Sequence, residues 1–364
     1  SLGLVGSEMC IRDRPGVWDE MITPGGEIRP AWAGLMAQME QTGAASWNAH
    51  QLTVQRLLRE HGVTYNVYQD SGAAVRPWEM DVMPLLLTSA EFAPLEQGLQ
   101  QRLQLFRAIL QDVYGPQHIV SEGLIPARLL FANPAFLRGA MSTYQPEGHL
   151  LYLGTNVVRL ADGGWRVLSD RTQMPSGLGY SLENRIIGSQ VLSREMKQCR
   201  VQRLAAFFER ERNSLRDMAP LSRGTPHVVM LTAGPKDRSY FEHAFKARYL
   251  GFPLVEGADL TVRDRRLFLK TLEGLRQVDV LIRRMQDWRC DSLELDAHAP
   301  SGIPGLMEAW RSGKVRVVNG MGSGVMEASA WLPFLPQLCQ RLLGEELRLP
   351  CLLYTSDAAD EEDS

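Results

Sequence analysis

The stretch VLSDRTQMPSGLGYSLENR, residues 167–185, gathers Asp170, Arg171, Glu183, Asn184 and Arg185 around a proline–glycine turn. Asp170, Glu183 and Asn184 are hard oxygen donors of the kind magnesium takes. Arg171 and Arg185 can neutralise phosphate or carboxylate oxygens. Pro175 has no N–H to give to a strand, and Gly177 and Gly179 permit positive φ. PSGLG therefore ends the preceding strand in a turn whose successive N–H groups can face an anion. These are the parts of a phosphate and magnesium site. The same residues would also make a capped turn with surface ion pairs.

Three further stretches carry chemistry. VVNGMGSGVMEASAW (317–331) runs a strand through Asn319 into Gly320, Gly322 and Gly324, with a helix after them. Such a turn can hold phosphate, although it lacks the Gly-Lys-Ser/Thr of a Walker loop and the spacing of a dinucleotide loop, and a close-packed turn is the alternative. VDVLIRRMQDW (278–288) places Arg283 and Arg284 at the end of a buried-type strand, where alternation sends one of them to the core or a cleft. It would there bind an anion or pair with a carboxylate. In YFEHAFKARYLGFPLVEGADLTVRD (240–264), His243 and Lys246 share a helix face, and Glu256 and Asp259 follow a strand end.

The elements that must position these groups read as mixed α/β. Residues 49–61 have a helical pattern with Leu52, Leu57 and Leu58 on one face, stopped at Gly62, and VTYNVY (63–68) is a strand. Residues 95–115 form a helix on Leu99, Leu103, Phe106 and Leu110, ended by Gly115-Pro116. Two strands over 149–170 turn at Asp162-Gly163-Gly164. A long helix covers 193–218. Strands then alternate with helices: HVVMLTAG, RSYFEHAFKARYLG, FPLVEG, the hairpin LTVRDRRLFLKTL, VDVLIRR, a helix over 303–312, KVRVVNG and SAWLPFLPQLCQRLLG. That alternation predicts an open, mainly parallel sheet and a domain of its own over 222–350.

The chain has 364 residues, 45% hydrophobic and 22% charged, which suffices for two domains. No apolar run is long enough to span a bilayer, and no basic region followed by an apolar one marks a secretory leader. The five cysteines are far apart with no metal-binding spacing, which predicts reduced thiols in a cytoplasmic protein. The ends, SLGLVGSEMCIRDR (1–14) and CLLYTSDAADEEDS (351–364), lack either periodicity and resemble translated adapter sequence, with a genuine tail as the alternative. The last eight residues hold five acids and no base, and the first fourteen balance, so without both ends the formal charge moves from −3 to +2. Neither value suggests a nucleic-acid or membrane surface.

Taken in order, WDEM, LLREHGVTYNVYQD, RPWEMDVMPLLL, DVYGPQ, FANPAFLRG, DRTQMPSGLGYSLENR, YFEHAFKARYLGFPLVEGADLTVRD, IPGLMEAWRSGKVRVVNGMGSGV and LLGEELRLP resemble the longer members of the circularly permuted type 2 ATP-grasp family, from about Trp18 to Pro350. The resemblance implies a glutathionylspermidine synthetase-like ATP-grasp fold, with its N-terminal part over 15–221 and a Rossmann-like pre-ATP-grasp domain over 222–350. It implies ATP-dependent joining of a carboxylate to an amine through an acyl phosphate, with ATP and Mg2+ as cofactors and peptide-like substrates. The implied metal ligands are Asp170, Asn184, Glu183 and Asn156, the last standing where the family usually has Asp. Ser176, Gly177, Gly179, Asn319, Gly322 and Gly324 are the implied ATP or substrate contacts, and Arg171, Arg185 and Arg283 the catalytic cations. Ser329 stands where shorter members carry a lysine, so no ATP lysine is assigned there. Family members continue past the position of Pro350 with a lysine-containing strand and a glycine-rich lid, so the resemblance implies a fold incomplete at the C-terminus and weak or no activity for this chain alone. Longer members sit with alpha-E domains and transglutaminase-like proteins. A non-catalytic nucleotide- or peptide-binding partner subunit is the alternative function.

Overall fold

The computed structural model describes residues 17–67, 74–141, 149–220 and 224–352. The chain divides into two compact units, each built from two separated segments. Ser1–Ser89 joins Met174–Asn319, and Ala90–Gln173 joins Gly320–Ser364. The boundary expected at 221/222 falls inside the first unit. The expected tail at 1–14 lies outside the described residues, as does that at 351–364 apart from Cys351 and Leu352.

The centre of the first unit is the expected parallel sheet. Its strands run in the order Arg316–Val318, Val280–Arg284, Val228–Thr232, Leu254–Val255, all parallel. Every residue of Val228–Thr232 and Val280–Arg284 is buried. Near-continuous apolar runs are what a sheet covered on both faces requires. Beside it in sequence, Leu260–Arg263, Arg266–Thr271 and Gly274–Gln277 form an antiparallel sheet. The first two were legible as a hairpin. Their turn residues Asp264 and Arg265 both take positive φ, 50° and 59°, which matches the twist of a two-residue hairpin. The third strand was not foreseen, because GLRQ is exposed and carries no apolar alternation.

The helices of this unit gather a second core of Trp32, Leu35, Trp47, Val54, Leu58, Val63, Val82, Tyr180, Ile187 and Leu192. Helices Pro30–Thr42 and Ala44–Glu60 meet at Gly43. The second buries Trp47, Val54 and Leu58, whereas Leu52, expected on the inner face, is 66% exposed. The helix expected over 193–218 is two helices, Ser193–Gln198 and Ala205–Asp217. Val201 N–H donates to Met196 O (3.0 Å) and Arg200 N–H to Lys197 O (3.2 Å), with Arg200 at φ 49°. That is a Schellman ending with arginine where glycine usually announces it, so the sequence gives no stop signal.

In the second unit, helix Ser89–Val113 buries Leu95, Leu105, Phe106, Ile109, Leu110 and Val113 at helical spacing. Both oxygens of Asp112 accept N–H groups of the next short helix, from His118 (2.9 Å) and Ile119 (3.0 Å). Gly154–Arg159 and Trp165–Arg171 form the expected antiparallel hairpin, with a register shift between Asn156 and Val157. Gly163 closes its turn at φ 81°. Residues 329–343 are not one helix. A 3-10 segment, Ser329–Phe334, precedes helix Leu335–Leu343, because Pro333 and Pro336 have no N–H for a continuous ladder.

Leu281 sits fully buried in the middle of the parallel sheet. Leu281→Ala is expected to lower stability by about 2–5 kcal/mol through the cavity it leaves, read as a lower midpoint in urea unfolding.

Candidate functional site

Open parallel sheets bind ligands beyond the C-terminal ends of their strands. In the first unit those ends deliver Thr232, Arg283, Arg284 and Asn319. The two arginines part as alternation demands. Arg283, 1% exposed, pairs with Asp287 (2.9 Å) and donates to Met285 O (2.8 Å) and Asn319 O (3.1 Å). It is thus enclosed by its own strand end. Arg284 donates to Pro175 O (2.7 Å) and lies 3.7 Å from the Glu242 carboxylate.

Glu242 explains the glycine turn. Its Oε1 accepts the N–H of Gly177 (2.7 Å) and of Gly179 (3.1 Å). The turn at the start of helix Leu178–Val191 does present two N–H groups to an anion, and in this structure the anion is a carboxylate of the protein itself. Gly177 needs its φ of 114°, and a Cβ on Gly179 would lie 2.6 Å from Glu242 Cγ. Next to Glu242 on helix Tyr240–Leu250, His243 Nδ1 is 3.0 Å from Thr232 Oγ1. Burial first, then the charges of Arg284 and Lys246, pushes His243 well below the ordinary histidine range, so it is neutral. Lys246 Nζ pairs with Glu211 at 2.6 Å, both nearly fully buried. Burial lowers the Lys246 pKa, opposed by Glu211. Glu256 and Asp259 cap the short turn between them, with Glu256 N–H donating to Asp259 Oδ2 (2.9 Å).

The other predicted residues of this unit lie on the same helix or just before it. Glu183, 2% exposed, is paired with His61 Nδ1. Asn184 Oδ1 accepts the Trp78 indole N–H (3.0 Å). Arg185 donates to Gln202 O (3.2 Å). Ser176 is exposed at the turn.

Asp170 and Asn156 belong to the second unit. Both oxygens of Asp170 face Arg102: Oδ1 accepts from Nε (2.8 Å) and Oδ2 from Nη2 (2.5 Å), while Thr155 Oγ1 donates to Oδ1 (2.9 Å). Burial works against the Arg102 charge, but the hydrogen-bonded Asp170 outweighs it and holds the guanidinium pKa above its usual value. Cys351 Sγ lies 3.5 Å from Arg102 Nη2, and burial raises the thiol pKa against that cation. Asn156 Nδ2 donates to Ser169 Oγ (2.8 Å), and Arg171 is exposed. Beyond the hairpin, the N–H groups of Thr172 and Gln173 both donate to Glu327 Oε1 at 2.7 Å. The glycines of 320–324 stand against side chains. A Cβ would meet the His149 ring at 2.8 Å from Gly320, Tyr114 Oη at 2.2 Å from Gly322 and Gln173 Nε2 at 2.4 Å from Gly324.

Sequence reasoning missed Arg102, Glu242, Lys246–Glu211 as a buried pair, and Glu327. Arg102 at the centre of an apolar helix face was the available signal, since a buried arginine requires a carboxylate. Among the described residues no group of three or more His, Cys, Asp or Glu is arranged to hold a metal ion. With the oxygens of Asp170 engaged by Arg102 and Thr155, and Glu183 paired with His61, these two expected ligands do not fit a magnesium ion as they stand.

Residues 84–362 match the family described as circularly permuted ATP-grasp type 2. The chain belongs to this family. The match takes in residues 351–362, which the sequence had set apart. An uncharacterized protein of Mycobacterium tuberculosis is 37% identical over 345 residues, 92% of this chain and 39% of that protein. An uncharacterized protein of Synechocystis is 34% identical over 338 residues, 92% of this chain and 70% of that protein. The chain thus spans about two fifths of the length of its mycobacterial relative. ATP-grasp proteins generally bind ATP and magnesium, and membership suggests ATP-dependent ligation. Among the described residues no helix of this ATP-grasp chain is long and apolar enough to cross a membrane.

Asp170→Asn should destabilise the protein by about 3–5 kcal/mol by leaving the buried Arg102 charge uncompensated, whereas Arg102→Met with Asp170→Leu should recover most of the loss in the same unfolding assay. His243 takes up its proton only in the unfolded chain near pH 6, so acidification below pH 6.5 favours unfolding. From pH 6.5 to 5.5, His243→Asn should lose about 1 kcal/mol less stability than the wild type; equal losses would show that His243 does not drive the acid response.

Proposed function

We propose that the protein is an ATP-dependent carboxylate–amine ligase. The observation that carries this reading is the family match across residues 84–362. In such a reaction a carboxylate oxygen attacks the γ-phosphorus of ATP, giving an acyl phosphate and ADP. The amine then attacks the acyl carbon, loses a proton and expels inorganic phosphate as the amide forms. Cationic side chains lower both barriers where negative charge builds up on phosphate. Of the three arginines expected as catalytic cations, Arg283 and Arg185 hold backbone carbonyls, while Arg171 is exposed. Arg171 is therefore our candidate for the phosphate-facing cation, and Ser176 with Gly177 for the substrate contact. The substrates are peptide-like carboxylates and amines, with alpha-E and transglutaminase-like proteins as partners, in the cytoplasm. No step is assigned to magnesium, because Asp170 and Glu183, the carboxylates expected to hold it, are engaged within the protein.

That engagement favours a second reading. Asp170, Glu183 and Glu242 all have protein partners, as in a non-catalytic subunit that binds a nucleotide or peptide.

Release of ADP separates the two. This chain and the full-length mycobacterial relative would be assayed with pooled carboxylates and amines. The ligase reading expects ADP release that needs both substrates, with Arg171→Ala slowing it on the order of a hundredfold or more. ADP release indifferent to the amine would sink the ligase reading, and none from either protein would sink it in favour of the binding subunit.

A further inference from the structure

In the first unit, helix Ser193–Gln198 and the loop that leads from it to helix Ala205–Asp217 concentrate positive charge. Arg194, Lys197, Arg200 and Arg203 follow one another at intervals of three residues, and all four are exposed. Between residues 193 and 208 the one acid is Glu195, which is buried and accepts from Gln38 Nε2 (3.1 Å). Glu209 is the first exposed acid after them. Among the described residues none of the four cations has an ion pair or a side-chain hydrogen bond.

The backbone that carries these cations is tied down on three sides. Val201 N–H donates to Met196 O (3.0 Å), and Met196 packs against the helical core. Arg185 Nη1 reaches from helix Leu178–Val191 to donate to Gln202 O (3.2 Å). Past the loop, Phe208 is buried edge-on to Tyr249, ring centroids 5.2 Å apart. Arg200 holds φ at 49°, a conformation that glycine takes without cost and arginine does not. Glycine would serve that turn better, so the fold does not account for the arginine. Four like charges within ten residues repel one another, and an opposite charge from outside relieves them. Nucleic acid and anionic bilayers are polyanions, but both are drawn in by the field of a whole molecule, and the formal net charge of this chain is −3. One half-exposed ring nearby, Phe207, offers little for stacking or insertion. A short acidic segment needs only the local cations.

We propose that residues 194–203 dock an acidic segment of a partner protein, whose carboxylates meet Arg194, Lys197, Arg200 and Arg203. The docking does not depend on the ligase reading.

Fluorescence anisotropy on the whole chain tests it with a labelled peptide of alternating Glu and Ser, about ten residues long so as to span the loop, and with the same peptide carrying Gln for Glu. The acidic peptide should bind saturably at low salt, about tenfold or more tighter than the neutral one, and should weaken as salt rises. Lys197→Glu combined with Arg203→Glu should weaken it by about tenfold or more. Arg200→Gly removes a cation while suiting the left-handed turn, so it should weaken binding about threefold without lowering the melting temperature. That variant keeps the test decisive if the charge reversal does not fold. Failure of the acidic peptide to bind, or binding indifferent to these substitutions, would overturn the inference. So would tighter binding, at equal charge concentration, of single-stranded oligothymidylate or of two-to-one phosphatidylcholine–phosphatidylserine vesicles.

Discussion

A charged group can be buried only if an opposite charge or an oriented dipole meets it. In the first unit that constraint is met at Glu242, which lies 1% exposed between Arg284 and the N–H groups of Gly177 and Gly179. Through it a strand end, a helix and a glycine turn share one electrostatic centre. Arg284 also takes the carbonyl of Pro175, so the turn is held by its acceptor and its donors together. Thr232, His243, Lys246 and Glu211 extend the centre along the same helix. Gly177 and Gly179 are required there for different reasons. One supplies a backbone conformation that a side chain disfavours, and the other makes room for the carboxylate.

The second unit solves the same problem with a bidentate pair. Arg102 projects from the mainly apolar buried face of its helix onto Asp170 of the hairpin, and Thr155 satisfies a further lone pair. The fork geometry of the guanidinium fixes orientation as well as charge. Each unit thus commits a buried carboxylate, Asp170 or Glu242, to an internal partner. A ligand that used either carboxylate would have to compete with a buried cation or with two backbone donors.

The proposed ligase chemistry rests on family membership and not on Asp170, Glu183 or Glu242, which have internal partners. The first unit also contains an apolar cavity bounded by Trp47 and Trp78. Its wall is held by hydrogen bonds between Gln51 and the backbone of Met80 and Val82.

The sequence by itself determined the mixed α/β class, the parallel sheet and most strands. Continuous apolar runs such as VVML and VLI can be satisfied only by burial on both faces, and Asp-Gly-Gly turns only one way. It also determined that Arg283 and Arg284 must diverge, since successive strand residues face opposite sides. Tertiary structure alone decided which groups meet. Asp170 and Arg102 are 68 residues apart, and Gly177 and Glu242 are 65 apart. No local spacing records such a pairing. The helix break at Arg200 was hidden because a non-glycine residue took the left-handed position, and the three glycines of 320–324 read as a phosphate loop although Tyr114, His149 and Gln173 fill the space beside them. A glycine in the sequence states that room is needed. Only the folded chain states for what.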